Sequence, residues 1–219
     1  MGNMTEFKRP DGGQTNGYLA TSTSNKGGVV VIQEWWGLND QICGVADRFS
    51  RAGFNALAPD LYKGRVTQDP DEASHMMNGL DFPGATHQDI RGATQHLLNT
   101  STKVAVMGFC MGGALTLASA VHVPECSAGI CFYGIPPEEF ASPKDIRVPF
   151  QGHFANQDDW CTPTAVDELE NTLQQADKLH NIFRYDAAHA FFNEQSDAYN
   201  VAAQRDAWAR VTNFLEKNL

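Results

Sequence analysis

The segment Lys103 to Ala114, KVAVMGFCMGGA, constrains this chain more than any other. Val104, Ala105, Val106 and Met107 run into Gly108-Phe109-Cys110-Met111-Gly112-Gly113, and an Ala/Leu-rich stretch follows to about Val121. This order spells a buried strand, a sharp turn and a helix. The turn matches the nucleophile-elbow pattern G-x-S-x-G, with cysteine in the serine position. A nucleophile on such a turn sits in strained backbone. Positions two before and two after it must be nearly free of side chain for strand and helix to pass closely. Gly108 and Gly112 meet that demand. Cys110 would face the N–H groups and positive partial charge of a helix N-terminus, which favour a thiolate, and the Met111 N–H would point where a substrate oxyanion forms. Taken alone, the turn also fits a structural thiol, because free cysteine is among the most buried residue types.

At 219 residues, with 42% hydrophobic and 19% charged residues, the chain has the composition of one globular domain, expected to span residues 1–219. Its longest apolar runs fall far below the roughly 18 residues needed to cross a bilayer. The N-terminal MGNMTEFKRPDGG lacks the apolar centre of a signal peptide, so a cytoplasmic location is expected. A net charge of −10 with dispersed Lys and Arg argues against nucleic acid and anionic membrane surfaces as partners. Cys43, Cys110, Cys126, Cys131 and Cys161 show no C-x-x-C spacing, which favours free thiols. The histidines form no H-x-x-x-H pair, so no metal site is expected.

Asp11-Gly12-Gly13, between Thr5–Lys8 and Thr15–Thr21, predicts an edge hairpin. Val29 to Ile32 are continuous and β-branched, the mark of a parallel strand covered on both faces. Glu34 follows that strand, where open α/β sheets bind ligands. Asn39 or Asp40 caps a helix that Gly53 stops, and Asn55 to Ala58 is the next strand. Residues 63 to 84, broken by Pro70, Gly79 and Pro83, read as an excursion of the kind that forms lids. Thr86-x-x-Asp89 predicts a capping box opening a helix to Leu98. After the elbow come strands at Cys126–Tyr133 and about Val148–His153, then a polar turn over Ala155–Trp160. A helix capped by Thr162 and Pro163, a strand at His180–Tyr185 and a last helix from about Ala198 to Lys217 complete the chain. Strands alternating with helices predict an α/β fold with a mostly parallel central sheet covered on both faces.

Three groups stand after predicted strands: Cys110, then Asp158 or Asp159, then His189. Nucleophile, acid, base is the chain order of the α/β-hydrolase triad. In that arrangement His189 takes the thiol proton and returns it, while the aspartate fixes the tautomer and stabilises the imidazolium.

Over nearly its whole length the chain resembles the dienelactone hydrolase family, the carboxymethylenebutenolidase-like branch of the α/β-hydrolase fold. The matching landmarks are Gln33-Glu34-Trp35-Trp36-Gly37, Pro59-Asp60-Leu61-Tyr62, Gly108-Phe109-Cys110-Met111-Gly112-Gly113, Tyr133-Gly134, Gln157-Asp158 and His189-Ala190-Phe191. The resemblance implies Cys110 as nucleophile, Asp158 and His189 as its partners, and Glu34 as an active-site glutamate that engages the thiol region and helps to activate it. It further implies an oxyanion hole from the N–H groups of Met111 and Trp35, and substrate contacts from Trp36, Tyr133, Arg65 and Phe191. For the acid, Gln157-Asp158 aligns with the family's Q-D, while Asp159 lies four residues before Pro163. No cofactor is implied, the substrate is a small ester or lactone, and a monomer is expected. The founding enzymes hold a substrate carboxylate with arginines, one of them four residues past the histidine; here that position is Asn193, and Arg65 is the single arginine of the excursion. Neutral esters or lactones are therefore expected to be the better substrates. A redox-sensing or ligand-binding protein on the same fold, and a cysteine peptidase, are the alternatives.

Overall fold

The structure, a computed structural model, describes residues 1–219. The Asp11-Gly12-Gly13 turn, with Gly12 at φ 87°, closes an antiparallel hairpin of β1 (Asn3–Lys8) and β2 (Gln14–Ala20). β3 (Gly28–Ile32) is buried at every position. α1 (Asp40–Ala52) begins where the Asn39 side chain accepts from the Ile42 N–H, and it ends at Gly53 with φ 108°, a conformation that disfavours a Cβ. β4 (Asn55–Pro59) leads to α2 (Pro70–Asn78), then to the single turn α3 (Phe82–Gly84), a π-helical stretch Ala85–Ile90 and α4 (Arg91–Leu98). The second half holds β5 (Val104–Phe109), α5 (Met111–His122), β6 (Ala128–Phe132), β7 (Phe150–Gln157), α6 (Pro163–Gln175), β8 (His180–Ala188) and α7 (Val201–Asn218).

All eight strands form one sheet in the order β1-β2-β4-β3-β5-β6-β7-β8, parallel from β4 to β8 and antiparallel at the hairpin end. Alternate strand residues feed two cores. On one face Val29, Val31, Met107 and Phe132 pack with Val45 and Phe49 of α1 and Val211 and Leu215 of α7. On the other, Val30, Ile32 and Val106 pack with Ile90, Leu97 and Leu115, while Leu117 and Phe150 pack with Val166, Leu169 and Leu173 of α6. No helix is long and apolar enough to cross a membrane.

Two local expectations are corrected. The helix before β5 does not open on a Thr86 capping box. Asp81 accepts from the Gly84 N–H one turn earlier, with Pro83 at the first positions, and the Thr86 hydroxyl donates to the Phe82 carbonyl at 2.9 Å. The last two strands are also longer than their apolar runs. Gln157 pairs with Ala188 beyond an irregularity at Ala155/Gln157, so Ala155–Gln157 is strand rather than turn. This extension carries Asp158 and His189 out to the same end of the sheet.

Candidate active site

Cys110 occupies the sharp turn between β5 and α5 at φ 54°, ψ −119°, outside the regions a non-glycine residue adopts readily. Its own N–H donates to the Phe132 carbonyl at 3.0 Å and its carbonyl accepts from the Ala114 N–H at 3.1 Å, which fix the turn. Gly112 makes the turn sterically possible, since a Cβ there would lie 2.5 Å from the Gln33 carbonyl oxygen and 2.7 Å from that of Ile32. At Gly108 a Cβ would run into the Gly112 carbonyl. Helix α5 thus passes directly over the C-terminal end of β3, and the residues following β3 lie beside the thiol.

The acid is Asp158. Its Oδ2 accepts from His189 Nδ1 at 2.8 Å, and its Oδ1 accepts from the N–H groups of Trp160 at 2.8 Å and Cys161 at 2.9 Å. The side chain is buried, whereas Asp159 is exposed. Burial alone would raise the Asp158 pKa, but the His189 bond, its charge and the two backbone donors hold it below the ordinary value. For His189, burial works against the charged form. The Asp158 hydrogen bond and the Cys110 thiol outweigh it and push the imidazole up to about 10. Tyr133 and Trp160 flank the imidazole, with ring centroids 4.9 Å and 6.3 Å away.

Glu34 lies against the same site, buried, and its carboxylate is held by two side chains. Tyr133 Oη donates to Oε1 at 3.3 Å and Asn193 Nδ2 donates to Oε2 at 2.6 Å, so both oxygens are engaged by these groups rather than by the thiol. Burial raises the Glu34 pKa, opposed by Asn193, by the charge of His189 and by Tyr133. Met111 opens α5, so its N–H has no intrahelical acceptor, and the Trp35 N–H makes no backbone hydrogen bond. Both residues line the cleft beside Cys110.

These groups open into one cleft of about 1710 Å³. Trp35, Trp36, Trp160 and Tyr133 form an aromatic wall, and Trp35 meets Trp36 and Trp160 edge-on at 4.9 Å and 5.9 Å. The excursion supplies Val66, Thr67, Met77 and Phe82, and a second arm after β6 supplies Ile135, Pro136, Pro137 and Phe140. No lysine or arginine lines the cleft; its carboxylates are Glu34, Asp40 and Asp197. No cluster of three or more His, Cys, Asp or Glu has the geometry of a metal site.

Two predicted substrate contacts lie elsewhere. Arg65 is not in the lining. Its backbone carbonyl packs over Gly37, which at φ 97° leaves no room for a Cβ, and its half-exposed guanidinium turns outward to Glu72 at 3.6 Å. Phe191 is fully buried in the core, with ring centroids 5.4 Å from Tyr133 and 4.9 Å from Tyr185. Apolar character beside the histidine placed it correctly in sequence, but the left-handed backbone of Ala190, φ 64°, turns it inward. Residue-by-residue reading missed Trp160 and the arm from Ile135 to Phe140. The only signals were an aromatic two residues after Asp158 and a proline pair after a strand.

A mostly parallel sheet covered on both faces, with a strained cysteine turn after its central strand β5 and a histidine following its edge strand β8, defines an α/β-hydrolase. Residues 15–219 match the dienelactone hydrolase family. The chain is 32% identical to "Protein usf" of Aquifex pyrophilus over the whole of both chains. It is 30% identical to a "Putative carboxymethylenebutenolidase" of Saccharolobus solfataricus, covering 96% of this chain and 97% of the other. Among solved structures, a "Putative Dienelactone Hydrolase" from Klebsiella pneumoniae superposes with a TM-score of 0.86 at 21% identity, covering 98% of each chain. A dienelactone hydrolase-like promiscuous phosphotriesterase from metagenomic libraries superposes at 0.82 with 23% identity, covering 99% of this chain and 98% of the other. The chain belongs to the dienelactone hydrolase family and is a carboxylic ester hydrolase.

Proposed function

We propose that this protein hydrolyses small, neutral esters or lactones through a Cys110-His189-Asp158 triad and a thioester intermediate. The observation that carries the reading is the Asp158–His189 bond of 2.8 Å at the end of the sheet where the strained Cys110 turn lies. His189, with its proton affinity raised to about 10, holds the proton that the thiol gives up, and Asp158 keeps that proton available at Nε2 by occupying Nδ1. The thiolate attacks the ester carbonyl, forming a C–S bond while the carbonyl π pair moves to oxygen. The Trp35 and Met111 N–H groups receive that oxyanion. Collapse expels the alkoxide, which takes the proton from His189. The imidazole then removes a proton from water, hydroxide adds to the thioester, and the C–S bond breaks to release the acid and restore the thiol–imidazole pair. Nothing in this sequence calls for a cofactor.

Neutral substrates are favoured because the cleft presents three carboxylates and no Lys or Arg. A carboxylate-bearing lactone would lack the charge-assisted hydrogen bonds that contribute roughly 1.5 to 3 kcal/mol each, about a ten- to hundred-fold disadvantage per missing contact. The test is hydrolysis of a chromogenic short-chain ester by wild type and Cys110→Ala, with mass spectrometry of the acidified reaction. Activity lost in the variant, with an acyl adduct on Cys110 in the wild type, is the expected result. Full activity in Cys110→Ala overturns the assignment. Comparable kcat/KM for a carboxylated and a neutral lactone of equal size overturns the substrate preference.

A further inference from the structure

We propose that Asn193 is a positioning residue: its oriented amide holds the Glu34 carboxyl group in a fixed place beside His189, and thereby sets the pH at which the site becomes competent. The inference rests on the Cys110-His189-Asp158 reading above.

The amide has one orientation. Asn193 Oδ1 accepts from the Gln195 N–H at 2.9 Å, so Nδ2 must face Glu34 Oε2, which it meets at 2.6 Å. A flipped amide would set an oxygen against a carboxylate oxygen and an NH₂ against a backbone N–H. The residue itself is tied down, since its N–H donates to the Ala190 carbonyl at 2.9 Å and the intervening Phe191 and Phe192 are buried in the core. The other oxygen of Glu34 takes the Tyr133 hydroxyl at 3.3 Å, and burial keeps that phenol protonated far above its ordinary range. Glu34 is thus gripped by two neutral donors.

The charged and titratable groups around it are few. His189 comes from the loop after β8, Cys110 from the elbow and Tyr133 from the end of β6, while Asp40 and Asp197 lie farther out along the cleft, which no Lys or Arg lines. With no cation besides His189, the ionised state of Glu34 depends on its two donors and on the imidazolium. In return, its charge favours the protonated imidazole that must deliver a proton to the leaving group. Removing the Asn193 donor raises the proton affinity of Glu34, which burial already raises, so the site loses its second carboxylate at a higher pH.

The experiment is the pH profile of kcat/KM on a neutral ester for wild type, Asn193→Leu, Glu34→Gln and the double variant. The acid limb should move up by about one pH unit in Asn193→Leu, a tenfold change in proton affinity. The limb belonging to Glu34 should vanish in Glu34→Gln, and adding Asn193→Leu to that background should change nothing more. An unmoved limb in Asn193→Leu, a limb that survives Glu34→Gln, or the same loss from Asn193→Leu in both backgrounds overturns the proposal. If Asn193→Leu does not fold, Tyr133→Phe removes the other donor and should shift the limb in the same direction; an unmoved limb there overturns it as well. Cys110→Ala is run alongside. Inactivity there with an unmoved limb removes only the role of Asn193, whereas activity there removes the thiol reading itself.

Discussion

Replacing Asp158 by Asn changes one atom and should nearly abolish turnover. The reason lies in how the carboxylate is held. Its Oδ1 takes two backbone N–H groups, from Trp160 and Cys161 at 2.8 and 2.9 Å, and its Oδ2 takes His189 Nδ1 at 2.8 Å. An asparagine must keep its oxygen on the two backbone donors. Turning the amide over would forfeit both bonds and bury two unpaired N–H groups, at about 1 to 3 kcal/mol each. The amide nitrogen therefore faces Nδ1 and donates to it. The imidazole answers by protonating Nε2, the atom that should exchange a proton with the thiol, and loses the anion that stabilises its charged form. The serine-protease precedent for this tautomer error is a fall of about 10⁴ in kcat, equivalent to roughly 5.5 kcal/mol of transition-state stabilisation. Steady-state hydrolysis of a chromogenic ester measures it, with circular dichroism confirming an intact fold. Asp159→Asn, at an exposed position outside this network, should remain within about twofold of wild type. Asp158→Asn turnover within tenfold of wild type would refute the argument.

Three further outcomes follow from the same geometry. Iodoacetamide at one equivalent should label Cys110 before the other cysteines, because Cys126, Cys131 and Cys161 are buried and burial raises their thiol pKa, as it does for Cys43; peptide mapping that finds another cysteine modified first contradicts this. Gly112→Ala would set a Cβ 2.5 Å from the Gln33 carbonyl oxygen. It should cost about 3 kcal/mol, roughly 6 to 12 °C in Tm, and an unchanged melting curve would show that the elbow tolerates a side chain there. His189 has a folded-state pKa raised from 6.5 to about 10, so its contribution to stability is fully present below pH 6.5 and is lost as pH rises through 10. Wild-type Tm should fall over that interval, and the fall should be smaller in Asp158→Asn; equal slopes would mean that Asp158 does not hold the proton.

Short-range chemistry made much of this protein readable from its residues. The continuous β-branched run at Val29–Ile32 can be stable only with both faces covered, and it forms a central strand buried throughout. Asn39, Gly53 and the Thr162-Pro163 pair end or begin helices through contacts a few residues away, so their roles are written locally. The two glycines flanking Cys110 demand close passage of strand and helix wherever the turn lies. Other features had no local signature. Asp158 and Asp159 are adjacent and chemically identical, so the residues favoured Asp158 only through the resemblance of Gln157-Asp158 to the family's Q-D, and it is the turn after β7 that aims Asp158 at two backbone N–H groups and His189. Phe191 and Arg65 had suitable chemistry, but a left-handed residue at Ala190 turned one into the core and the packing of the excursion over Gly37 turned the other toward Glu72. Strands β7 and β8 outlast their apolar runs because pairing with each other, rather than burial, carries them to Gln157 and Ala188. The grip of Tyr133 and Asn193 on Glu34 joins residues 99 and 159 positions away along the chain. Contacts of that range are decided by how the sheet stacks its strand ends, since a residue's chemistry specifies what it can bind but only the fold brings the partner within reach.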